Sequence, residues 1–161
     1  MRDKPESDYD AMVYLSGPMT GKEIDRAWRT YATTYLHRHN IGVLDPTAII
    51  NNDAIGRNGL EYEGELAPTE QARHDKRMVE ECDILLGHFP YLPDDRPSIG
   101  SFWECGIATQ CGKAIAISSH LACVREHLFC RAFASWIGEH IDESLQAVVT
   151  CVKSWKELRL A

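Results

Sequence analysis

Two carboxylates in this chain stand among residues that make a charge costly. Glu104 lies in the stretch PSIGSFWECGIATQCGKAIAI (97–117), beside Trp103, Cys105 and Ile107. Taking a carboxylate out of water without partners is expensive. Such a residue either turns outward from its helix or faces a site, and a carboxylate open to a substrate carbon can act as a nucleophile. Spacing alone leaves both open. Asp75, in RHDKRMVEECD (73–83), shares a helical face with Met78, Val79 and Cys82 at i, i+3, i+4 and i+7. It is either a carboxylate on an apolar face or an exposed one paired with a nearby Lys or Arg. Asp83 opens the next strand and reads as structural, bonding N–H groups nearby. Glu80 and Glu81 read as solvated.

A third stretch, YLSGPMTG (14–21), runs from a strand through a glycine turn into a helix. Gly17 and Gly21 permit a close approach of backbone to a ligand, and Thr20 can cap the helix. Such a turn can bind phosphate, line a sugar pocket or simply connect a strand to a helix. It lacks the lysine of a P-loop and the spacing of a dinucleotide fingerprint. Ser98 and Gly100 stand at a helix start, where free N–H groups favour anions. Gly106, inside that helix, costs about 1 kcal/mol against alanine, which suggests a need for close packing.

The elements that must position these residues follow from periodicity. Strands are expected at 12–17, 41–46, 83–90, 113–118 and 146–152. Helices are expected at 21–40, closed by Asn40, from Pro68 and Thr69 to about Cys82, at 99–111 capped by Gly112, at 122–141, and at 153–160. Ile24, Ala27, Trp28, Tyr31, Tyr35 and Leu36 recur at helical spacing in the first. Residues 47–66 read as a loop or short helical turns, and residues 1–10 as a frayed terminus. Strands alternating with helices indicate an α/β fold, a single-domain, Rossmann-like (flavodoxin-like) three-layer sandwich over 11–161 with a mainly parallel sheet of about five strands. In such sheets ligands bind beyond the carboxyl ends of the strands.

Composition narrows the function. The chain has 161 residues, 44% hydrophobic and 25% charged, as in an ordinary globular protein. Its apolar runs are far shorter than the roughly twenty residues of a membrane span. No apolar signal segment follows the N-terminus, so a cytoplasmic location is expected, with the six cysteines as reduced thiols. No CxxC pair occurs, and no zinc spacing is found. A net charge of −7 argues against a nucleic-acid polymer as partner, though not against a single nucleotide. The seven histidines show no metal-ligand pattern; His37 and His39 read as solvated, and His88 could border the pocket.

Taken in order, YLSGPMTG, the Asp75-to-Asp83 segment and SIGSFWECGIATQCGKAIAI resemble the nucleoside 2-deoxyribosyltransferase family. That family includes 2'-deoxynucleoside 5'-phosphate N-hydrolases and cytidylate N-glycosidases. The resemblance covers 12 to about 118 and is most specific over 98–117. It implies that Glu104 is the nucleophile that attacks the anomeric carbon. It implies that Asp75 assists departure of the base by proton transfer and that Tyr14 helps position the nucleophile. Gly17, Pro18, Met19 and Thr20 would form the sugar- or phosphate-side loop. An apolar wall around Glu104 would keep bulk water off the intermediate.

Two positions depart from the transferase pattern. Six residues before Glu104, where transferases carry an Asp, this chain has Ser98, which resembles the monophosphate hydrolases. A serine at a helix start accepts a phosphate that an Asp would repel. Where transferases carry an Asn that reaches a neighbouring subunit, this chain has His127, which could contact a neighbour's phosphate or be an ordinary helix histidine. The apolar helix around Leu128, Phe129, Phe133, Trp136 and Ile137 could form an interface, cover the sheet, or both. The resemblance implies a homodimer or larger homo-oligomer acting on a small nucleotide or nucleoside, with no metal or cofactor. Expected is cleavage of the N-glycosidic bond of (2'-deoxy)nucleoside 5'-monophosphates. Base exchange between deoxynucleosides is the alternative, and a non-catalytic nucleotide sensor is an alternative of another class.

Overall fold

The computed structural model describes residues 8–19, 23–48, 68–92 and 98–160. In chain order its elements are β1 (Met12–Ser16), α1 (Glu23–Arg38), β2 (Gly42–Leu44), α2 (Pro68–Glu81) and β3 (Ile84–His88). They continue as α3 (Ile99–Gln110), β4 (Ala114–Ser118), α4 (Ala122–Arg125), α5 (Leu128–Phe133), β5 (Trp136–Gly138) and α6 (Ile141–Leu160). All strand pairings are parallel, in the order β2-β1-β3-β4-β5. The fold is thus an α/β, flavodoxin-like three-layer sandwich. The chain reverses its direction of travel across the sheet between β1 and β3, and folds of this kind hold ligands beyond the carboxyl ends of the strands at such a switch point.

Strand alternation divides the interior in two. Val13 and Leu15 of β1 face one side, with Trp28, Ala32 and Leu36 of α1 and Leu145, Val148, Val149 and Val152 of α6. Tyr14 faces the other, with Met78 and Val79 of α2 and Cys105, Ile107 and Ala108 of α3. Asp83 pins the start of β1 to β3: its carboxylate accepts the Met12 N–H at 2.8 Å, and its own N–H donates to the Met12 carbonyl at 2.8 Å.

Both α1 and α3 end in Schellman turns. Asn40 (φ 58°) and Gly112 (φ 67°) adopt the left-handed conformation. The Ile41 N–H returns to the Leu36 carbonyl, and the Lys113 N–H to that of Ala108. Glu80 and Glu81 are exposed and pair with Lys76 and Arg77 one turn back. All six cysteines are free: Cys82, Cys105 and Cys130 buried, Cys151 half-buried, Cys111 and Cys123 exposed. No helix among the described residues is long and apolar enough to cross a membrane.

Several sequence expectations are corrected. The helix expected at 122–141 breaks into α4, α5 and the strand β5. The strand expected at 146–152 is instead part of α6. Its β-branched residues misled, because Leu145, Val148, Val149 and Val152 follow helical spacing and all are buried. Glu143 also favours a helix start, accepting the N–H of Glu139 at 2.8 Å and of His140 at 3.4 Å. The buried stripe of α1 is rotated from the one expected: Asp25, Trp28, Arg29, Ala32 and Leu36 face inward, while Ile24 and Tyr31 are exposed. Residues 1–7 and 49–67 lie outside the described residues. Asp8 to Asp10 are tied down, the Asp10 N–H bonding the Asn40 carbonyl at 2.9 Å and its carboxylate meeting Lys156.

Gly106 differs from expectation, and Gly17 stands close to the protein itself. A side chain at Gly106 would meet no atom within 4 Å, so close packing does not require glycine there. A Cβ at Gly17 would lie 2.5 Å from the His88 carbonyl oxygen and 3.0 Å from the Trp28 ring, so the close approach is to β3. Gly17→Ala should therefore destabilise the protein by on the order of 1–3 kcal/mol. Gly106→Ala should stabilise it by roughly 0.5–1 kcal/mol. Urea unfolding of both variants checks this pair; a Gly17→Ala midpoint equal to wild type would contradict the close contact.

Candidate active site

Period-2 alternation puts Tyr14 and Ser16 on the same side of β1, facing α2 and α3. Glu104, on the inward face of α3, meets them there. Its carboxylate is 4% exposed. Oε1 accepts the Tyr14 hydroxyl at 2.9 Å and Oε2 accepts the Ser16 hydroxyl at 2.5 Å. Each oxygen thus has its own donor, both from one strand. Trp103, expected beside Glu104, is 44% exposed, so it does not enclose the carboxylate. Buried Cys105, Ile107 and Ala108 supply the apolar surroundings.

Burial is the largest influence on Glu104 and raises its pKa from 4.5 to about 7. The Ser16 and Tyr14 hydrogen bonds oppose the rise, the charge of Asp75 adds to it, and Arg29 opposes it. Burial, then the charges of Glu104 and Asp75, pushes the Tyr14 hydroxyl up, so it remains a protonated donor.

Asp75 projects from the inward face of α2 and is 7% exposed. The Gln71 side-chain amide donates to its Oδ1 at 2.6 Å, and His74 Nδ1 stands 3.6 Å from that oxygen. Burial raises its pKa, with Gln71 and then His74 opposing. The structure therefore brings Tyr14, Asp75 and Glu104 to one face, where the Asp75 charge acts on both of the others.

Ser98 precedes α3 without capping it by its side chain, and its Oγ is buried with no hydrogen-bond partner among the described residues. Gly100 is exposed in the first turn, with open space where a side chain would stand. Pro18 is buried and Met19 half-buried after β1; Thr20 and Gly21 lie outside the described residues. His127 sits at the exposed junction of α4 and α5, its ring 5.8 Å from that of Phe129. His88 faces the α1 side of the sheet, bonded through Nδ1 to Ser118 Oγ at 2.6 Å, and burial lowers its pKa to about 4.

Sequence reasoning missed Ser16 and Arg29. Ser16 carried a signal, standing two residues after Tyr14 on a strand. Arg29 was hidden by the misplaced stripe of α1.

No family model matches the sequence, and no curated protein matches it. Among solved structures the chain is similar to a 2-deoxyribosyltransferase from the psychrotolerant bacterium Bacillus psychrosaccharolyticus. That match has a TM-score of 0.65 at 19% identity over 86% of this chain and 96% of the other. It is also similar to the CMP N-glycosidase BcmB of Clostridium botulinum, with a TM-score of 0.54 at 18% identity over 85% and 97% of the two chains. A 2-desoxiribosyltransferase from Leishmania mexicana gives a TM-score of 0.52 at 16% identity over 69% and 65%. The chain shares the fold of these proteins.

The burial of Glu104 has a stability consequence. A carboxyl group whose pKa rises from 4.5 to about 7 on folding contributes fully below the lower value and loses that contribution as pH climbs through the higher. Above pH 7 the fold must hold a charge that water holds better. Glu104→Gln should therefore melt higher than wild type at pH 8, by on the order of 3 kcal/mol in unfolding free energy. Near pH 4 the two should agree. Calorimetry at the two pH values decides it; a variant no more stable at pH 8 would mean that the carboxylate is not disfavoured there.

Proposed function

We propose that this protein cleaves the N-glycosidic bond of (2'-deoxy)nucleoside 5'-monophosphates through a covalent glycosyl ester on Glu104, releasing the free base and the sugar phosphate. One observation carries this reading: a buried carboxylate held by a hydroxyl on each oxygen, on the face that also carries a second buried carboxyl group, Asp75. A purely structural carboxylate is cheaper to leave in water.

The chemistry balances with these groups. An oxygen of Glu104 bonds to the anomeric carbon as the C–N bond breaks and its electron pair passes to the base nitrogen. Asp75 gives that base a proton, a role suited to a carboxyl group whose pKa burial has raised. The positive charge that develops on the sugar is stabilised by the carboxylate beside it. Water then bonds to the anomeric carbon, its proton returns to Asp75, and Glu104 leaves with its electron pair. Tyr14 and Ser16 keep their protons throughout and hold the carboxylate in place.

Ser98 supports a phosphate on the substrate. Its buried, uncharged Oγ has no hydrogen-bond partner among the described residues, and the first N–H groups of α3 have no intrahelical acceptors. Glu104 lies six residues on, about 9 Å along the axis, and its side chain leans back toward that helix start. The names of the fold relatives, two deoxyribosyltransferases and a CMP N-glycosidase, agree with this class of bond. Leu128 and Phe129, 75% and 67% exposed, suit self-association, which would carry His127 to a neighbouring copy.

The test is incubation with deoxynucleosides and with their 5'-monophosphates, each with and without a second free base, followed by chromatography. Base should be released from monophosphates without an acceptor. Exchange only with a second base present, from nucleosides, would make the protein a transferase and remove the phosphate role of Ser98. Glu104→Ala should lose on the order of a thousandfold or more in turnover. In the wild type kcat/KM should fall as pH drops below about 7, because the nucleophile is then protonated.

A further inference from the structure

We propose that Ser16 is the second hydroxyl that fixes and stabilises the charged form of Glu104, and that Arg29, from the opposite face of the sheet, is the residue that positions Ser16. The inference rests on the reading of Glu104 as nucleophile given above.

Ser16 is fully buried, and its Oγ donates to Glu104 Oε2 at 2.5 Å, closer than the Tyr14 hydroxyl stands to Oε1. Of the two donors it is nearer the carboxyl end of β1, where a ligand would enter. That end needs support. Pairing of β1 with β2 stops at Tyr14 opposite Leu44, whereas pairing with β3 continues to Ser16 opposite Gly87.

Arg29 supplies the support where β2 stops. Its guanidinium donates to the Leu15 carbonyl at 2.9 Å and to the Gly17 carbonyl at 3.1 Å. These are the carbonyls on either side of Ser16. The side chain is 3% exposed, lies 4.6 Å over the Trp28 ring and meets Asp45 at 3.3 Å. Asp45 is fixed in turn by the Thr47 N–H and hydroxyl. A planar guanidinium can span two carbonyls in this way, whereas an ammonium is a point charge on a flexible stem.

Hydrogen bonds from both hydroxyls favour the charged carboxylate, with Ser16 the stronger, and the Arg29 charge adds to them. The groups that act on the charge of Glu104 are Ser16, Tyr14 and Asp75 from its own side of the sheet and Arg29 from the other. Stabilised charge matters most in the second half of the reaction, when Glu104 departs from the sugar as a carboxylate. A Ser16 variant is therefore expected to release its intermediate more slowly, as well as to need a higher pH for attack.

The test is a side-chain carboxyl NMR titration of Glu104 in the resting full-length protein, paired with the pH profile of kcat/KM. Ser16→Ala should move the Glu104 midpoint up by about one pH unit. The acid limb of kcat/KM should move by the same amount, and turnover should fall by roughly tenfold to a hundredfold. Arg29→Lys keeps the positive charge and loses the two-carbonyl brace, so an upward move there reports lost positioning. Circular dichroism and thermal melts establish that each variant is folded. An unmoved midpoint in Ser16→Ala overturns the proposal, whether or not the protein turns over any substrate. An unmoved midpoint in folded Arg29→Lys overturns the positioning role. A moved midpoint in a protein that releases no base supports the Ser16 contact and sinks the glycosidase reading instead.

Discussion

The charge of Glu104 is the constraint around which this fold is arranged. An apolar environment disfavours a carboxylate, and the protein offsets that with one hydroxyl for each oxygen. Both hydroxyls come from a single strand, so the offset depends on β1 being held in register to its last residue. That requirement reaches beyond the site. It explains why Asp83 locks the start of β1 and why an arginine is buried at its end. Gly17 fits the same scheme, since only a residue without a side chain lets β1 run so close to the end of β3.

The sheet is thereby used on both faces for one purpose. Tyr14, Ser16, Asp75 and Glu104 share the side of α2 and α3, while Arg29 works from the side of α1. A backbone segment one strand thick separates them. Arg29 bonds to carbonyls in the plane of the sheet and still contributes charge to Glu104, Tyr14 and Asp75. A buried guanidinium needs partners to be tolerated; Leu15, Gly17 and Asp45 satisfy its two terminal nitrogens and Trp28 stacks against it, while Nε has no hydrogen-bond partner among the described residues.

Much of this was legible in the sequence. The strand runs at Met12, Ile84 and Ala114 and the helix ends at Asn40 and Gly112 follow from local chemistry that tertiary contacts do not override. Asp75 and Glu104 could be singled out because a carboxylate on an apolar helical face is unusual whatever the fold. The second half was less legible. Val148, Val149 and Val152 have strand propensity but helical spacing, and packing against β4 decided for the spacing. The break after Arg125 and the three-residue β5 carry too few residues to produce a period. Arg29 was missed for a different reason: a charged residue within a buried stripe looks like the edge of an exposed one until its carbonyl partners are known.

The thiols carry a practical consequence of the same burial. Cys82, Cys105 and Cys130 are held in their protonated form, Cys82 with its pKa raised to about 12, all chiefly by burial. Only a thiolate attacks an electrophile at speed. Alkylating reagents should therefore leave these three untouched and modify the exposed Cys111 and Cys123. Cys111 closes α3 two turns beyond Glu104, at the end of the helix remote from Ser98. A fluorophore carried there would ride on the helix that holds Glu104, at its far end from Ser98, and would report optically on movements of that helix in the otherwise native protein.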